Sequence, residues 1–482
     1  MTISGKLLEK YKAVCEFAPT LPIPSGQRVP YGWGTAAIDS SDSKRATTLK
    51  WSGLPASDSD CSVFLRLCIA CDVREEKRID VALSESGRVL ATFDIRYGYV
   101  TQIYEVPLPA EAIPAVASEG LSLLMVEGNR PLWMFYQPDS ASDSAGIPAT
   151  MQPHLLISGG VDRLSEFYTQ FRSVTSIQPF GWLEGCVLDG LYQLELAAPN
   201  QGWKDTALNH LQLYFPTGDT LVMEDHFGQV SDNVFYLDES TLPIAVIAEV
   251  WPDHPVLDRA IEYWLSTEHA LTAEGCYTMA YPITVLAWQR KDAELGRWAL
   301  RLLRERMDEL ADDKGLWQCY RPGSNADRYR DWARAYAWYM LGLTRSLMNL
   351  QQLGASEVPG LETLEPEIRR VAAHLIALQG EDGLWACFVD DPATGADTSG
   401  SAGIAAALAL GASHGKLPDE ARRSAEKAFV GLQAYLTPDG LLAGVAQNNR
   451  GGEALQKSGY RVISQMAMGL MGQLAGALGR TP

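Results

Sequence analysis

Positive charge is scarce in this 482-residue chain: 40 Lys and Arg stand against 59 Asp and Glu, a formal net charge of −19. A nucleic-acid or anionic-membrane partner needs phosphate-neutralising cations, so neither is expected. An acidic ligand would have to be held by local Arg or Lys. Histidine is scarcer still, with seven residues dispersed along the chain, and no glycine-rich loop of the phosphate-cradling kind occurs. Neither a metal nor a nucleotide site is expected, and no cofactor. No apolar run approaches the length of a membrane span. The opening residues, MTISGKLLEKYKAVC, lack the apolar stretch and small-residue cleavage site of a secretory signal. Eight cysteines are scattered at 15, 61, 68, 71, 186, 276, 319 and 387, several inside apolar runs, as buried thiols of a reducing compartment are. A cytoplasmic protein is the expectation. Cys68 and Cys71 in RLCIACDV form a CxxC without a second pair or a nearby histidine, which reads as core packing rather than a zinc or redox site.

What is present is an ordinary globular composition, 46% hydrophobic and 21% charged, in a chain too long for one core. Its character changes once. Between about residues 47 and 157, short alternating or β-branched segments (CSVFLRLCIAC, RIDVALSE, RVLATFDIRY, YVTQIYEVPL, LSLLMVEG, MQPHLLIS) are separated by Gly, Pro, Ser and Asp. That spacing predicts an antiparallel β-sandwich or jelly-roll, with SESG and VEGN as hairpin turns. After about Gly160, apolar positions recur at three and four through some twelve segments, from VDRLSEFYTQF to YRVISQMAMGLMGQLAGAL. Segments apolar nearly all round, such as the one from Thr398, alternate with segments charged on one side, such as Ala293 to Ala311. An inner ring of buried helices wrapped by an outer ring fits this alternation. The expected fold class is therefore α+β multidomain: an N-terminal antiparallel β-sandwich over 1–157 and an (α/α)6 barrel over 158–482.

In such a barrel the inner-helix N-termini, with their free N–H groups and partial positive charge, converge on one mouth. Five helix starts are rich in polar and aromatic groups. PFGWLEG carries Trp182 and Glu184; VFYLDES carries Asp238 and Glu239; TAEGCYTM carries Glu274 and Tyr277. DRYRDWARAYAW carries Arg328, Arg330, Asp331, Trp332, Arg334 and Trp338, and DDPATGADTSGSAG carries Asp397, Thr398 and Ser399, preceded by Trp385 in EDGLWACF. Taken singly, such acids and hydroxyls are caps, such aromatics are core, and an Arg beside acids is a solvated pair. Taken together they read as a sugar site, with Trp faces stacking on sugar C–H faces and two acids from different helices supplying glycoside chemistry. His226 in MEDHFG is a further candidate for touching substrate.

These residues carry a family resemblance. GWLEGCVLDGLYQL, LDESTLPIAVIAEVW, EGCYTMAYPITVLA, DWARAYAWYMLGL and EDGLWACFVDDPATGADTSGSAGIAAALALG resemble, in order and spacing, the unsaturated glycuronyl hydrolases of glycoside hydrolase families 105 and 88, over residues 160–482. The resemblance implies the same barrel and removal of a terminal 4,5-unsaturated uronic acid from an oligosaccharide by carboxylate-assisted hydration. It implies that Glu274 stands where the family has a catalytic aspartate, one methylene longer, and that Asp238 is the second acid. It also implies that Arg334, Trp332 and Trp338 line the subsite, with Arg334 assigned to the substrate's carboxylate, a bidentate task that Lys does poorly.

Two other readings stay open. An inverting hydrolase of saturated uronides or other glycosides would use Glu274 as acid and Asp238 as base, roughly 6.5–9.5 Å apart. A non-catalytic sugar-binding barrel would treat the Glu at 274 as a mark of lost activity. The partner expected in each case is an oligosaccharide with an acidic terminal sugar. The N-terminal β domain reads first as packing that stabilises the barrel, with a sugar-binding module, a lid or a dimerisation surface as alternatives, which leaves a homo-oligomer open; Tyr97, Tyr99, Trp133 and Tyr136 are its aromatic candidates.

Overall fold

The computed structural model describes residues 7–39, 46–55, 61–138, 146–225, 227–319, 329–354 and 356–482. The chain forms two compact units. The first comprises Met1–Gln170 with Glu224–Val230 and Thr437–Gly440; the second holds the rest.

The first unit is mainly β. Its elements are β1 (Leu7–Lys12), β2 (Val14–Phe17), β3 (Thr35–Ile38), β4 (Thr47–Lys50), β5 (Ser62–Cys68), β6 (Glu76–Leu83), β7 (Val89–Arg96), β8 (Ile103–Leu108), α1 (Ile113–Glu119), β9 (Leu121–Glu127), β10 (Leu132–Phe135), β11 (His154–Gly159) and α2 (Arg163–Phe171). Antiparallel pairing gives one sheet in the order β1-β11-β5-β8, a second in the order β2-β4-β9-β6-β7, and a separate β10-β3 pair. Alternation explains the faces: along β6, Lys77, Ile79, Val81 and Leu83 are buried while Glu76 and Arg78 are exposed. SESG turns β6 into β7, with Gly87 N donating to Leu83 O. VEGN is not a hairpin turn, because β10 pairs with β3 and β9 with β4 and β6. Tyr99, Trp133 and Tyr136 are buried in this unit, so three of the four aromatic candidates are core. Buried Arg66 donates to Asp439 and Glu105 at 2.7 Å, and Lys10 also reaches Asp439, at 3.0 Å. Both cations hold the Asp439 carboxyl well below the usual range.

The second unit is helical: α3 (Trp182–Ala197), α4 (Trp203–Tyr214), α5 (Ile244–Val250), α6 (Val256–Ser266), α7 (Tyr281–Arg290), α8 (Ala293–Leu310), α9 (Ala333–Leu353), α10 (Leu364–Ala377), α11 (Thr398–Ser413), α12 (Asp419–Gln433), α13 (Gly452–Lys457) and α14 (Gln465–Leu478). Six of them close a ring: α3 packs on α5, α5 on α7, α7 on α9, α9 on α11, α11 on α14, and α14 back on α3. The amphipathic helices α4, α6, α8, α10 and α12 pack outside α3, α5, α7, α9 and α11 respectively. Composition sets this division. Every residue of α11 from Thr398 to Gly411 is buried, whereas α8 buries only its Leu-rich stripe. Where α3 meets α14, a Cβ on Gly190 would stand 2.3 Å from Gly469 O, so the two backbones touch only because both positions are glycine. The unit is thus an α/α barrel with six inner helices. Short strand pairs, 311–312 with 315–316, 386–388 with 391–396 and 445–446 with 461–462, form loops at its helix starts. Among the described residues, no helix is long and apolar enough to cross a membrane.

Candidate active site

Glu274 stands at the mouth of the inner helix that becomes α7. Its loop is pinned to the segment before α9: Thr272 bridges Cys319, Ala273 N donates to Gln318 O at 2.7 Å, and Gln318 Nε2 donates to Glu274 Oε1 at 2.9 Å. Behind it lies Gly275. A Cβ there would sit 2.5 Å from Arg306 Nη2, and the buried guanidinium donates at 3.0 Å to the carbonyls of Ala270, Thr272 and Leu302. A carboxylate followed by glycine therefore lets an arginine brace the loop from beneath. The helix then opens with a π turn, Cys276–Ala280, the wide local winding that recurs at functional sites.

A second acid faces it. Glu239 lies in the 3-10 turn Asp238–Thr241 before α5, and Thr241 Oγ1 donates to Thr278 O in the π turn at 2.8 Å, which ties the two helix starts together. Burial and then the charge of Glu274 push the Glu239 carboxyl up to about 8, against the pull of Arg450; Asp238 adds to the rise. Burial also raises Glu274, but the Gln318 N–H and Arg334 favour its charged form. Two interacting carboxyls in one poorly solvated place hold a proton between them. Both carboxyls are raised, and of the two only Glu274 has a side-chain N–H, that of Gln318, among the groups favouring its charged form.

Asp238, expected as the second acid, is engaged elsewhere. Its Oδ1 lies 2.6 Å from His269 Nδ1 and 3.3 Å from the Tyr263 hydroxyl. The bond to Asp238 raises the His269 pKa, and the other ring nitrogen lies 2.7 Å from Trp264 O. Arg334 is 2% exposed, donates to Ala446 O at 2.6 Å and Gln447 O at 2.5 Å, and lies over the Trp332 ring at 4.5 Å. With both terminal nitrogens on main-chain carbonyls, it braces the loop before α14 and lends its charge to Glu274; it does not present a free fork to a ligand's carboxylate.

The aromatic candidates form a column. Trp338 stacks on Tyr277 at 5.8 Å, Tyr277 on Tyr281 at 5.6 Å, and Trp182 meets Trp338 edge-on at 5.8 Å. Only Trp182 is part-exposed; the others are buried. Tyr277 is spent on Asp189 and accepts from Gln473 Nε2 at 2.9 Å. Glu184 is fully buried between Gln178 N at 2.8 Å and His210 Nδ1 at 2.9 Å. Trp385 donates to Leu375 O, Thr398 to Ala443 O, and Ser399 to Asp397 within an N-cap. Glu184, Tyr277, Trp385, Thr398 and Ser399 are thus framework, not lining, because each is buried with its polar atoms satisfied inside the barrel. His226 and Arg328 lie outside the described residues.

Together, then, stand Glu274, Glu239 and Asp238, with Gln318, Arg334 and Arg450 acting on the pair. Glu239 was visible only as Asp238's neighbour. Gln318 and Arg450 had no signal of their own, since each enters through a loop distant in sequence.

Residues 309–478 match the Glycosyl Hydrolase Family 88 model, a span that takes in Arg334 but not Glu274. The unsaturated rhamnogalacturonyl hydrolase YesR of Bacillus subtilis is 28% identical over 142 residues, 29% of this chain, and the chain spans 38% of that relative's length. Among solved structures, a possible family 105 member from Salmonella enterica serovar Paratyphi A superposes with a TM-score of 0.56 at 15% identity, over 66% of this chain and 93% of that one. A family 105 glycoside hydrolase from C. acetobutylicum gives 0.56 at 16%, over 66% and 99%. A family 88 glycosyl hydrolase from Bacteroides vulgatus gives 0.52 at 17%, over 66% and 96%. These likenesses give the fold of the helical unit as the (α/α)6 barrel. In sequence and in fold, the chain resembles the unsaturated glycuronyl hydrolases of glycoside hydrolase families 88 and 105.

Proposed function

We propose that the barrel is a glycoside hydrolase that removes a terminal 4,5-unsaturated uronic acid from an oligosaccharide by hydration. The observation that carries this reading is the Glu239–Glu274 pair, in which one carboxyl is raised to about 8 beside another whose charge is supported by Gln318 and Arg334. In such a sugar the ring oxygen is conjugated with C4=C5. Protonated Glu239 gives its proton to C4, which leaves the positive charge at C5 shared with the ring oxygen. Water adds at C5 and loses a proton to Glu274. The double bond has gained one water, and the pair carries one proton before and after. The resulting hemiketal opens by breaking its C5–O ring bond, and the hemiacetal left at C1 expels the rest of the chain as an alcohol. General acid–base transfer of this kind is worth roughly 10²–10⁴-fold.

The remaining groups position the substrate. Arg450, part-exposed and close enough to lower Glu239, suits the uronate carboxylate better than Arg334. Trp182 offers its indole to a sugar face. Asp238, locked by His269 and Tyr263, orients the turn that carries Glu239. The β unit serves as an accessory domain, its two sheets packed as a sandwich, and the scattered thiols favour a cytoplasmic setting.

The test follows loss of the ultraviolet band of the unsaturated uronide in lyase-generated disaccharides, with Glu274→Gln and a saturated aryl glucuronide alongside. Decay with wild type and not with the variant supports hydration. Glu274-dependent release from the saturated glycoside without decay moves the protein to inverting hydrolysis. No reaction with either sinks the enzymatic reading and favours a sugar-binding barrel.

A further inference from the structure

At the far ends of three neighbouring inner helices a cavity of about 490 Å³ opens. Trp288 comes from the last turn of α7, Met348, Asn349, Gln351 and Gln352 from the end of α9, and His414 and Lys416 from the turn after α11. At 1.5 Å per residue, about 20 Å of helix separates Trp288 from Glu274.

Its lining is unlike the rest of the barrel. Trp203, Trp264, Trp332, Trp338 and Trp385 are buried and Trp182, Trp251, Trp298 and Trp317 are half-buried, whereas Trp288 is 39% exposed. Around that indole stand three amide side chains, an imidazole and an ammonium, and among the described residues no carboxylate lines the cavity although the chain carries a net charge of −19. Asn349 Nδ2 donates to Thr284 Oγ1 at 3.1 Å, which orients its amide. His414 Nδ1 lies 3.0 Å from Leu410 O and 3.1 Å from Ser413 Oγ, which fixes the orientation of the ring. Lys416 is held loosely, 3.7 Å from a Glu365 oxygen, while Arg369 grips the same carboxylate at 2.7 Å. Lys416 can therefore swing to a ligand without stranding Glu365.

An aromatic face, amides that both donate and accept, and one movable cation are the complement of an acidic sugar: C–H face, hydroxyls and carboxylate. We propose that this cavity is a second carbohydrate site that binds a uronate-bearing oligosaccharide away from the reacting pair; the sugar class rests on the function proposed above.

The test is calorimetric titration of the full chain with saturated trigalacturonate, which has no double bond to consume, and with neutral maltotriose. Wild type, Trp288→Ala, Lys416→Met and Glu274→Gln are compared, and turnover of a short unsaturated disaccharide is measured on the same preparations. The expected result is trigalacturonate binding weakened about tenfold by Trp288→Ala, the scale of one lost indole contact, with disaccharide turnover unchanged. Lys416→Met is expected to narrow the preference for the acidic trimer about fivefold, and Glu274→Gln to leave the Trp288-dependent binding intact. Binding indifferent to both cavity substitutions, or equal for acidic and neutral trimers, overturns the proposal. Should Trp288→Ala fail to fold, Lys416→Met decides. Trp288-dependent binding in a protein without turnover would support the second site while refuting the reading of the mouth.

Discussion

Replacing Gly275 by alanine puts a methyl group where Arg306 already is. The new Cβ would stand 2.5 Å from Nη2 and 2.7 Å from Nε, well inside van der Waals contact. The guanidinium is buried and bonded to the carbonyls of Ala270 and Thr272, so it can retreat only by breaking those bonds. Hydrogen bonds from a charged donor contribute about 1.5–3 kcal/mol each, and alanine recovers at most about 1 kcal/mol of helix propensity. A net loss of about 3 kcal/mol is expected. Chemical denaturation monitored on the barrel reads it, best as a cycle with Arg306→Lys, whose slimmer head leaves room for the methyl group. The two changes should couple by about 2 kcal/mol, so that the pair costs less than their sum. Because the displaced loop carries Glu274, turnover should fall as well. A Gly275→Ala protein as stable as wild type, or strict additivity with Arg306→Lys, would refute the bracing role.

Glu239→Gln bears on the raised carboxyl. Folded Glu239 keeps its proton to about 8 while the unfolded group releases it near 4.5, so the native state binds more protons and wild type loses stability as pH rises through that window. The variant should match wild type near pH 4.5 and exceed it by about 1–2 kcal/mol above pH 8, after allowance for solvent at the mouth; parallel melting curves would contradict this. For His269→Gln the sign reverses. The raised His269 pKa gives stability that is complete below about pH 6.5 and lost above the folded value, so the gap between wild type and variant should shrink from pH 6 to pH 9, and a constant gap would count against the Asp238 pairing. Arg334→Lys keeps the charge but not the fork that holds Ala446 and Gln447; a loss of about 2 kcal/mol and a fall in kcat larger than any change in KM are expected from urea unfolding and kinetics.

Much of the fold was legible because burial writes itself into composition. TSGSAGIAAALALG, small and apolar nearly all round, reads as an inner helix, and RIDVALSE showed its strand by alternation. The missed elements are short: β1, β2, β3 and β10 run four to six residues, and YRV, which continues the apolar pattern into α14, instead pairs Arg461 and Val462 with the strand at Val445. The site was legible as a place and not as a list of side chains. A helix start tells which residues are near the mouth but not which way they point, so Glu184, Tyr277 and Trp385 looked like lining although each satisfies its polar atoms inside the barrel. In LDES the pattern could not separate Asp238 from Glu239, because successive residues of a tight turn face different partners: His269 for one, Glu274 for the other.

The most direct measurement is the pH dependence of kcat on an unsaturated uronide disaccharide for wild type, Glu239→Gln and Glu274→Gln. With Glu239 as acid and Glu274 as base, wild-type kcat should fall as pH rises through about 8, and each variant should lose at least ~100-fold. A Glu239→Gln enzyme within about tenfold of wild type and with the same alkaline limb would contradict the pair at the centre of this account.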